Sequence, residues 1–184
     1  MATPSKEEQV LKIILENSPL KEWHFENILR EAKVTRVVAS KWLKKYSTLG
    51  LLKRIKKRGK YPYYTAGSNN LVYYSWKKYY ALKQFYESGL IECLLTLKNA
   101  KTIILFGSMI KGDWYKDSDI DIFIYGKANE LNKNLYELRL QRHIELHIFE
   151  NKKEIRKVKT GLINNVINGY LIKGKIQDLI KVYK

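Results

Sequence analysis

Residues 102–126, TIILFGSMIKGDWYKDSDIDIFIYG, constrain the fold more than any other part of the sequence. An apolar run typical of a buried strand leads into a glycine–serine turn and a short helical segment, and a second apolar run follows. Asp119 and Asp121 alternate at the start of the second run, so a strand there would project both carboxylates from one face. Adjacent like charges destabilise a strand, so the pattern predicts that these acids hold a cation.

The rest of the C-terminal half continues the alternation of strands and helices. The sequence predicts a helix at ANELNKNLYELRLQR, a strand at HIELHIFE, a helix at EIRKVKTGLINNVINGY and a short final helix at GKIQDLIKVYK. Residues 99–184 are therefore expected to form a small α/β domain with helices on a mixed sheet. Glu145 lies between apolar Ile144 and Leu146, so it points to the opposite strand face. If the third strand lies beside the second, Glu145 completes a three-carboxylate cluster.

Gly107 and Ser108 follow the first strand directly, and ten residues separate Ser108 from Asp119. Glycine allows a phosphate to approach the backbone closely, and the start of a helix presents unpaired N–H groups to an anion. Three acids beside such a turn predict a divalent-metal site for a nucleoside triphosphate. Mg²⁺ prefers oxygen ligands and often combines one or two carboxylates with substrate phosphates, so Mg²⁺ is the expected cofactor.

This arrangement of G-S, ten residues and D-x-D, with an acid on a following strand, resembles the DNA polymerase β-like nucleotidyltransferases. The likeness covers about residues 102–149 and is greatest to their minimal nucleotidyltransferases. It implies that Gly107 and Ser108 bind the triphosphate, and that Asp119 and Asp121 bind Mg²⁺. It also implies that Glu145 is the third catalytic carboxylate and favours deprotonation of the acceptor. Minimal nucleotidyltransferases are often paired with HEPN proteins in toxin–antitoxin modules, so the resemblance also implies a HEPN-type partner.

Several details of this segment leave alternatives open. The third acid is Glu where Asp is common in the family. His147 shares the face of Glu145 and either contacts the nucleotide or is structural, and Lys111 either reaches a phosphate or is solvated. Gly112 and Trp114 also resemble the archaeal CCA-adding enzymes. Those enzymes need large RNA-binding domains, which we do not expect here, so this assignment is discounted.

The first third of the chain predicts three short helices followed by a β-hairpin. Ser5 and Glu8 match a capping box for the first helix, and Thr35 can cap the third. LGLLKRI and KYPYYTA are typical of two short strands around the basic turn KKRG. This order resembles the winged helix-turn-helix family from about residue 7 to residue 66. We therefore expect a DNA-binding domain at residues 1–67. The fusion of such a domain to a minimal nucleotidyltransferase resembles archaeal-type proteins.

Basic residues gather on two parts of this N-terminal domain. In winged helix-turn-helix proteins the third helix enters the major groove and the wing lies along the DNA backbone. The candidate DNA-binding residues on the helix and the wing are Arg36, Lys41, Lys44, Lys45, Lys56, Lys57 and Arg58. The alternative is a solvated charge run on a module for protein docking or dimerisation.

Composition narrows the class of protein and of partner. The 184 residues include 35 Lys and Arg against 18 Asp and Glu, and the net charge of +17 predicts a polyanionic partner such as double-stranded DNA. The single Cys93 excludes a disulfide framework within the chain and any cysteine-based zinc cluster. The sequence has neither an apolar run of about 18 residues nor a signal-peptide core, so we expect a cytoplasmic protein without a membrane partner.

Residues 68–98 are rich in Tyr, Leu and Lys and predict a helical connector between the two domains. Aromatic residues at helical spacing are more often a packing surface than a base-stacking platform. The connector is therefore expected to pack against neighbouring elements, and it is a candidate homodimer contact.

Three functional hypotheses follow for this α+β chain. The first is an Mg²⁺-dependent nucleotidyltransferase that transfers a nucleoside monophosphate to a hydroxyl acceptor and carries a DNA-binding domain. The second is a DNA-binding transcription regulator, or an antitoxin-like protein, whose nucleotidyltransferase domain senses a nucleotide without turnover. The third, a nucleic-acid-directed transferase or small polymerase, ranks lowest because no fingers or thumb domain is visible. Intact acids favour activity over sensing.

Overall fold

A computed structural model describes residues 5–183, with side chains through residue 180. Contacts divide the chain into two compact units, one comprising Met1–Lys77 with Trp114–Lys116 and the other Lys78–Asp113 with Asp117–Lys184. The division falls inside one helix, α4. None of the described helices is both long and apolar enough to cross a membrane.

The first unit contains helices and a small antiparallel sheet. Its elements are α1 (Lys6–Glu16), β1 (Trp23–His24), α2 (Phe25–Ala32), α3 (Arg36–Thr48), β2 (Leu52–Ile55), β3 (Tyr63–Ala66) and the first part of α4 (Leu71–Glu87). The capping box of α1 is present, since the Ser5 hydroxyl accepts from the Glu8 N–H and the Glu8 carboxylate accepts from the Ser5 N–H. Thr35 caps α3 as expected, accepting from the Val38 N–H.

The core of the first unit lies between α1, α2 and α3. Val10, Ile14, Ile28 and Leu43 are almost fully buried there, on the apolar faces of their helices. The predicted hairpin forms from β2 and β3, and the strand order is β1-β3-β2. Strand β1 has only two residues, so the sequence contains no alternating pattern that would predict it.

Residues 114–116 belong to the first unit although they lie between two elements of the second. Trp114 is fully buried, and its indole N–H donates to the Lys77 carbonyl at 3.1 Å. The buried Lys77 ammonium donates to the Trp114 carbonyl and lies 4.8 Å from the centre of the indole ring. The Lys116 N–H donates to the Glu16 carbonyl at 2.9 Å. This short segment is thus an integral part of the first unit.

The second unit is a four-stranded sheet with helices. Its elements are the rest of α4, α5 (Leu90–Thr96), β4 (Ala100–Phe106), α6 (Gly107–Lys111), β5 (Ile120–Gly126), α7 (Lys133–Leu140), β6 (Ile144–Phe149), α8 (Lys152–Arg156), α9 (Thr160–Ile167), β7 (Tyr170–Lys173) and α10 (Ile176–Tyr183). The strand order is β6-β5-β4-β7. Strands β5 and β6 are parallel and the other neighbours antiparallel, so the sheet is mixed, as expected.

The prediction of one helix over EIRKVKTGLINNVINGY is wrong. Two helices, α8 and α9, occupy the segment, and its last residue begins β7. The extended backbone of Lys159 separates the helices. At Gly169 an added Cβ would lie 2.4 Å from the Leu105 carbonyl oxygen. Only glycine therefore fits at the position where the chain approaches β4 and begins the edge strand β7. The helix-like spacing of apolar residues did not reveal this close approach.

Apolar side chains bury both faces of the sheet. On one face Phe106, Phe123 and Tyr125 pack with residues of α8, α9 and α10. On the other face Ile103, Leu105, Ile122 and Ile124 are fully buried. The first face ends in polar side chains, because Asp121 lies opposite Phe106 on β4 and opposite Glu145 on β6.

Candidate functional site

Two of the three predicted carboxylates lie side by side at one end of the sheet. In the parallel register of β5 and β6, Asp121 is opposite Glu145 and Phe123 is opposite His147. Asp121, Glu145 and His147 each offer one ligand atom, and these three atoms lie within 4.8 Å of one another. The predicted proximity of the second and third strands is therefore present, and His147 belongs to the same group.

Asp119 lies one residue before β5 and is exposed, outside this group of three. Two contacts fix the chain around it. The Ile120 N–H donates to the His143 carbonyl at 2.9 Å, and the buried Arg142 guanidinium donates to the Ser118 carbonyl at 3.1 Å. Arg142 thus positions the segment that carries Asp119. No sequence pattern indicated this role, because an arginine before a strand is commonplace.

The carboxyl of Asp121 lies in an unfavourable environment for its charge. Burial is the main cause that raises its pKa above the ordinary 3.8, and repulsion from Glu145 and Asp119 raises it further. His147 and Lys111 act in the opposite direction. A cation bound between the carboxylates would offset both the desolvation and the repulsion.

Gly107 lies directly against the carboxylate of Asp121. Its φ is +75°, and an added Cβ would lie 1.8 Å from the Asp121 Oδ2 atom. Every larger residue would therefore combine backbone strain with a collision at the site. The sequence suggested that this glycine admits a phosphate, whereas the described contact is with a carboxylate. Ser108 follows it in α6.

Lys111 and His147 have defined neighbours. The Lys111 Nζ donates to the side-chain oxygen of Asn165 on α9 at 3.1 Å. Asn165 was not singled out from the sequence, since its place beside α6 depends on how α9 packs. The His147 ring lies 5.2 Å from the Phe106 ring, and its Nε2 is 3.4 Å from the Glu145 Oε1.

The candidate DNA-binding residues of α3 differ in their surroundings. Arg36 pairs with Glu26 at 2.8 Å and Lys45 pairs with Glu7 at 3.1 Å. Lys41 lies over the Trp42 ring at 5.1 Å. Lys44 is exposed, and no carboxylate of the described side chains forms an ion pair with it. Arg36 and Lys45 are thus already partly neutralised.

The loop between β2 and β3 carries Lys56, Lys57 and Arg58, all exposed. A hydrogen bond with Tyr63 raises the pKa of Lys57 above the usual 10.5, so this lysine is charged at neutral pH. A pocket of about 240 Å³ lies between α3 and the hairpin, lined by Ser40, Leu43, Lys44, Ser47, Thr48, Arg54 and Tyr64. Its two cations and its hydroxyl groups suit an anion.

Comparison with known proteins identifies part of the second unit. Residues 89–177 match the family model described as "Polymerase beta, Nucleotidyltransferase", so this segment is a nucleotidyltransferase-type domain. The segment contains all the candidate catalytic and nucleotide-binding residues. No curated protein was found to match the chain.

Three solved structures resemble the chain. One, a toxin–antitoxin crystal structure with AMP-PNP, is 21% identical, covers 58% of this chain and 80% of its own, and has a TM-score of 0.35. The other two are mutants of the toxin–antitoxin MntA-HpeT. One is 22% identical over 55% of this chain and 76% of its own, with a TM-score of 0.34. The second mutant is 18% identical, covers 58% of this chain and 80% of its own, and has a TM-score of 0.34.

Proposed function

We propose that the protein transfers a nucleoside monophosphate from a nucleoside triphosphate to a hydroxyl acceptor, and that its N-terminal domain binds DNA. One observation carries the catalytic part of this proposal. Asp121 and Glu145 lie opposite each other on parallel strands, with Gly107 against Asp121, inside the segment that matches the nucleotidyltransferase model.

The donor set of the site fits a divalent cation. Asp119, Asp121 and Glu145 offer carboxylate oxygens, which are the ligands that Mg²⁺ prefers. Burial, the main cause of the raised pKa of Asp121, disfavours its negative charge in the absence of a cation. When bound, the cation would stabilise negative charge on the attacking and leaving oxygens.

The protein's own residues would supply the remaining steps. The backbone at Gly107 and Ser108 would bind the triphosphate beside Asp121. Glu145, which is half-exposed at the sheet edge, would accept the proton of the acceptor hydroxyl. The acceptor oxygen would then bond to the α-phosphate while pyrophosphate leaves.

Calorimetry tests the site itself. The double variant Asp119→Ala, Asp121→Ala should lose Mg·ATP binding, because it removes two of the three carboxylates of the proposed metal site. The matched control Asp113→Ala, Asp178→Ala removes the same charge at exposed positions outside the cluster and should bind like wild type. Equal binding by wild type and the site variant would refute the site.

The substitution Glu145→Gln distinguishes catalytic turnover from nucleotide sensing without turnover. The amide keeps the size but cannot accept the proton, so turnover should fall by about 100-fold or more, whereas the affinity for Mg·ATP should fall far less. Labelled ATP with candidate acceptors measures the first quantity and calorimetry the second. Unchanged turnover would assign the proton acceptor elsewhere, first to His147. Tight Mg·ATP binding with no turnover for any acceptor would favour the sensing regulator.

The order of elements in the first unit supports the DNA-binding part. Three helices and a β-hairpin with a basic loop follow the order of a winged helix-turn-helix domain, with β1 as an additional short strand. Lys44, Lys56 and Arg58 have no ion pair with the described carboxylates, so they are available for phosphate contacts. A HEPN-type protein partner and a homodimer contact on residues 68–98 stay proposals from the sequence, to be tested by co-purification and by sedimentation.

A further inference from the structure

His147 adds a nitrogen donor to the two carboxylates of the site. It lies two residues after Glu145 on β6, so it shares the sheet face of Glu145 and Asp121. Asp121, Glu145 and His147 are the only group of three His, Cys, Asp or Glu side chains at metal-binding distances among the described residues. The sequence placed His147 on the strand face of Glu145, and the pairing register of β5 and β6 adds Asp121 to the same group.

The imidazole is held in place more firmly than a surface histidine. Its side chain is 21% exposed, and its ring is tilted by 56° against the buried Phe106 ring at a centroid distance of 5.2 Å. Glu145 is 53% exposed and free to rotate towards a ligand. A rigid nitrogen donor and an adaptable carboxylate together suit capture of a cation from solution.

The distances are close to those of a formed coordination shell. A cation with ligands at about 2.1 Å separates them by about 3 Å at a right angle and by about 4.2 Å in line. The Glu145 Oε1 and His147 Nε2 atoms are 3.4 Å apart, and all three donor atoms lie within 4.8 Å of one another, so small side-chain rotations would bring them into coordination range.

The donor chemistry decides between cations. Mg²⁺ takes oxygen ligands almost exclusively, whereas first-row transition cations accept imidazole together with carboxylate. We propose that His147 is a direct metal ligand and that the site binds Mn²⁺-class cations more tightly than Mg²⁺. The inference rests on the proposed function, in which Asp119, Asp121 and Glu145 offer their carboxylates to the cation. The competing explanation is that His147 only pairs with Glu145.

Metal titration of the full chain without nucleotide tests the proposal independently of activity. MnCl₂ binding is followed by loss of the electron paramagnetic resonance signal of free Mn²⁺, and MgCl₂ binding by its competition with Mn²⁺. Wild type should prefer Mn²⁺ by about tenfold or more. His147→Gln should weaken Mn²⁺ binding by about 10-fold to 100-fold and Mg²⁺ binding by less than about threefold.

Two further variants sharpen the result. His147→Asp replaces nitrogen by oxygen, so it should restore cation binding and reduce the preference for Mn²⁺, which a merely structural histidine would not explain. His143→Gln is the matched control, because His143 is exposed, pairs with Glu137 at 2.7 Å and lies outside the cluster. Its affinity for both cations should equal that of wild type.

Asp121→Asn distinguishes failure of the inference from failure of the proposed function. Asp121→Asn could lose binding of both cations while His147→Gln binds Mn²⁺ as tightly as wild type does. That result would overturn the role of His147 alone. Equal losses of Mn²⁺ and Mg²⁺ in His147→Gln would also overturn it, since the effect would not depend on nitrogen. Unchanged cation binding in Asp121→Asn would overturn the proposed site itself.

Discussion

At the scale of single residues, Gly107 is the most constrained position of the candidate site. Gly107→Ala should destabilise the protein by about 1–3 kcal/mol, because alanine is strained at φ +75° and its Cβ would collide with Asp121. Since the carboxylate must move, Mg·ATP affinity should fall as well. Thermal unfolding and calorimetry measure the two effects.

Gly161 provides the control for this substitution. It lies in α9, and nothing is within 4 Å of a Cβ added there. Gly161→Ala should therefore stabilise the protein by up to about 1 kcal/mol through helix propensity, without any change in nucleotide binding. If Gly107→Ala behaved like Gly161→Ala, the close packing of Gly107 on Asp121 would be wrong.

The raised pKa of Asp121 predicts how stability depends on pH. Between the ordinary value of 3.8 and the raised folded-state value, the folded protein holds a proton that the unfolded chain has lost. This group therefore makes stability fall as the pH rises through that window, and the loss is complete above it. Asp121→Asn should unfold at a higher temperature than wild type at pH 7, and the difference should shrink as the pH falls.

Added divalent cation should reverse this order of thermal stabilities. The reversal tests whether the negative charge of Asp121 causes the difference between the two proteins. Wild type should gain thermal stability from the cation, because binding favours the folded state, whereas Asp121→Asn should gain little. An Asp121→Asn protein that is less stable than wild type at pH 7 without cation would show that the charge is not unfavourable there.

Much of the candidate site could be predicted at this scale. The alternation of Asp119 and Asp121, and the flanking of Glu145 by apolar residues, assign each carboxylate to a strand face. Arg142 and Asn165 could not be predicted, because each acts through a tertiary contact with a distant segment. Periodicity carries no information about such contacts.

At the scale of elements, the hairpin loop between β2 and β3 carries the charge most available to DNA. Changing Lys56, Lys57 and Arg58 to Ala should weaken binding to every duplex sequence, since phosphate contacts do not depend on sequence. The slope of log affinity against log salt should fall in magnitude by about 2 to 3, from three lost phosphate contacts. Fluorescence titrations of duplex DNA at several salt concentrations measure both quantities.

The matched control removes the same charge from the second unit. Lys152, Lys153 and Lys157 are exposed around α8, and their replacement by Ala lowers the net charge by the same amount. DNA affinity and salt slope should change far less in this control. If the two triple variants behave alike, net charge alone attracts DNA, and the hairpin loop has no specific role.

The elements differ in how far the sequence determines them. Strands β4, β5 and β6 contain continuous or alternating apolar residues, and capping residues mark the starts of α1 and α3, so their types are local properties. Strand β7 forms because Leu171 pairs with Ile104 and Gly169 fits against Leu105, both far away in sequence. An edge strand of four residues depends on its neighbour, which no local pattern reveals.

At the scale of the whole molecule, the two units are not contiguous pieces of sequence. A fragment of residues 78–184 lacks Lys77 and Tyr73 but keeps Trp114, which is the only tryptophan in that fragment. Its fluorescence should shift to longer wavelength and become accessible to acrylamide, because the surroundings that bury the indole are missing. A fragment of residues 68–184 that carries Trp76→Phe retains Lys77 and Tyr73, keeps Trp114 as its one tryptophan, and should show a smaller shift. Shielded, short-wavelength emission from the shorter fragment would contradict the assignment of Trp114 to the first unit.

The place of residues 114–116 also sets the order of events during synthesis. Translation adds about 5–20 residues per second, and 39 residues separate Lys77 from Lys116 (116 − 77), so about 2–8 seconds pass between them. During that interval the nascent N-terminal unit has Lys77 without Trp114, and Glu16 without the Lys116 N–H. The N-terminal unit is therefore completed only after β4 and α6 have been made. A ribosome that stalls before residue 114 holds a chain whose first unit lacks the contacts of Trp114 with Lys77 and of Lys116 with Glu16.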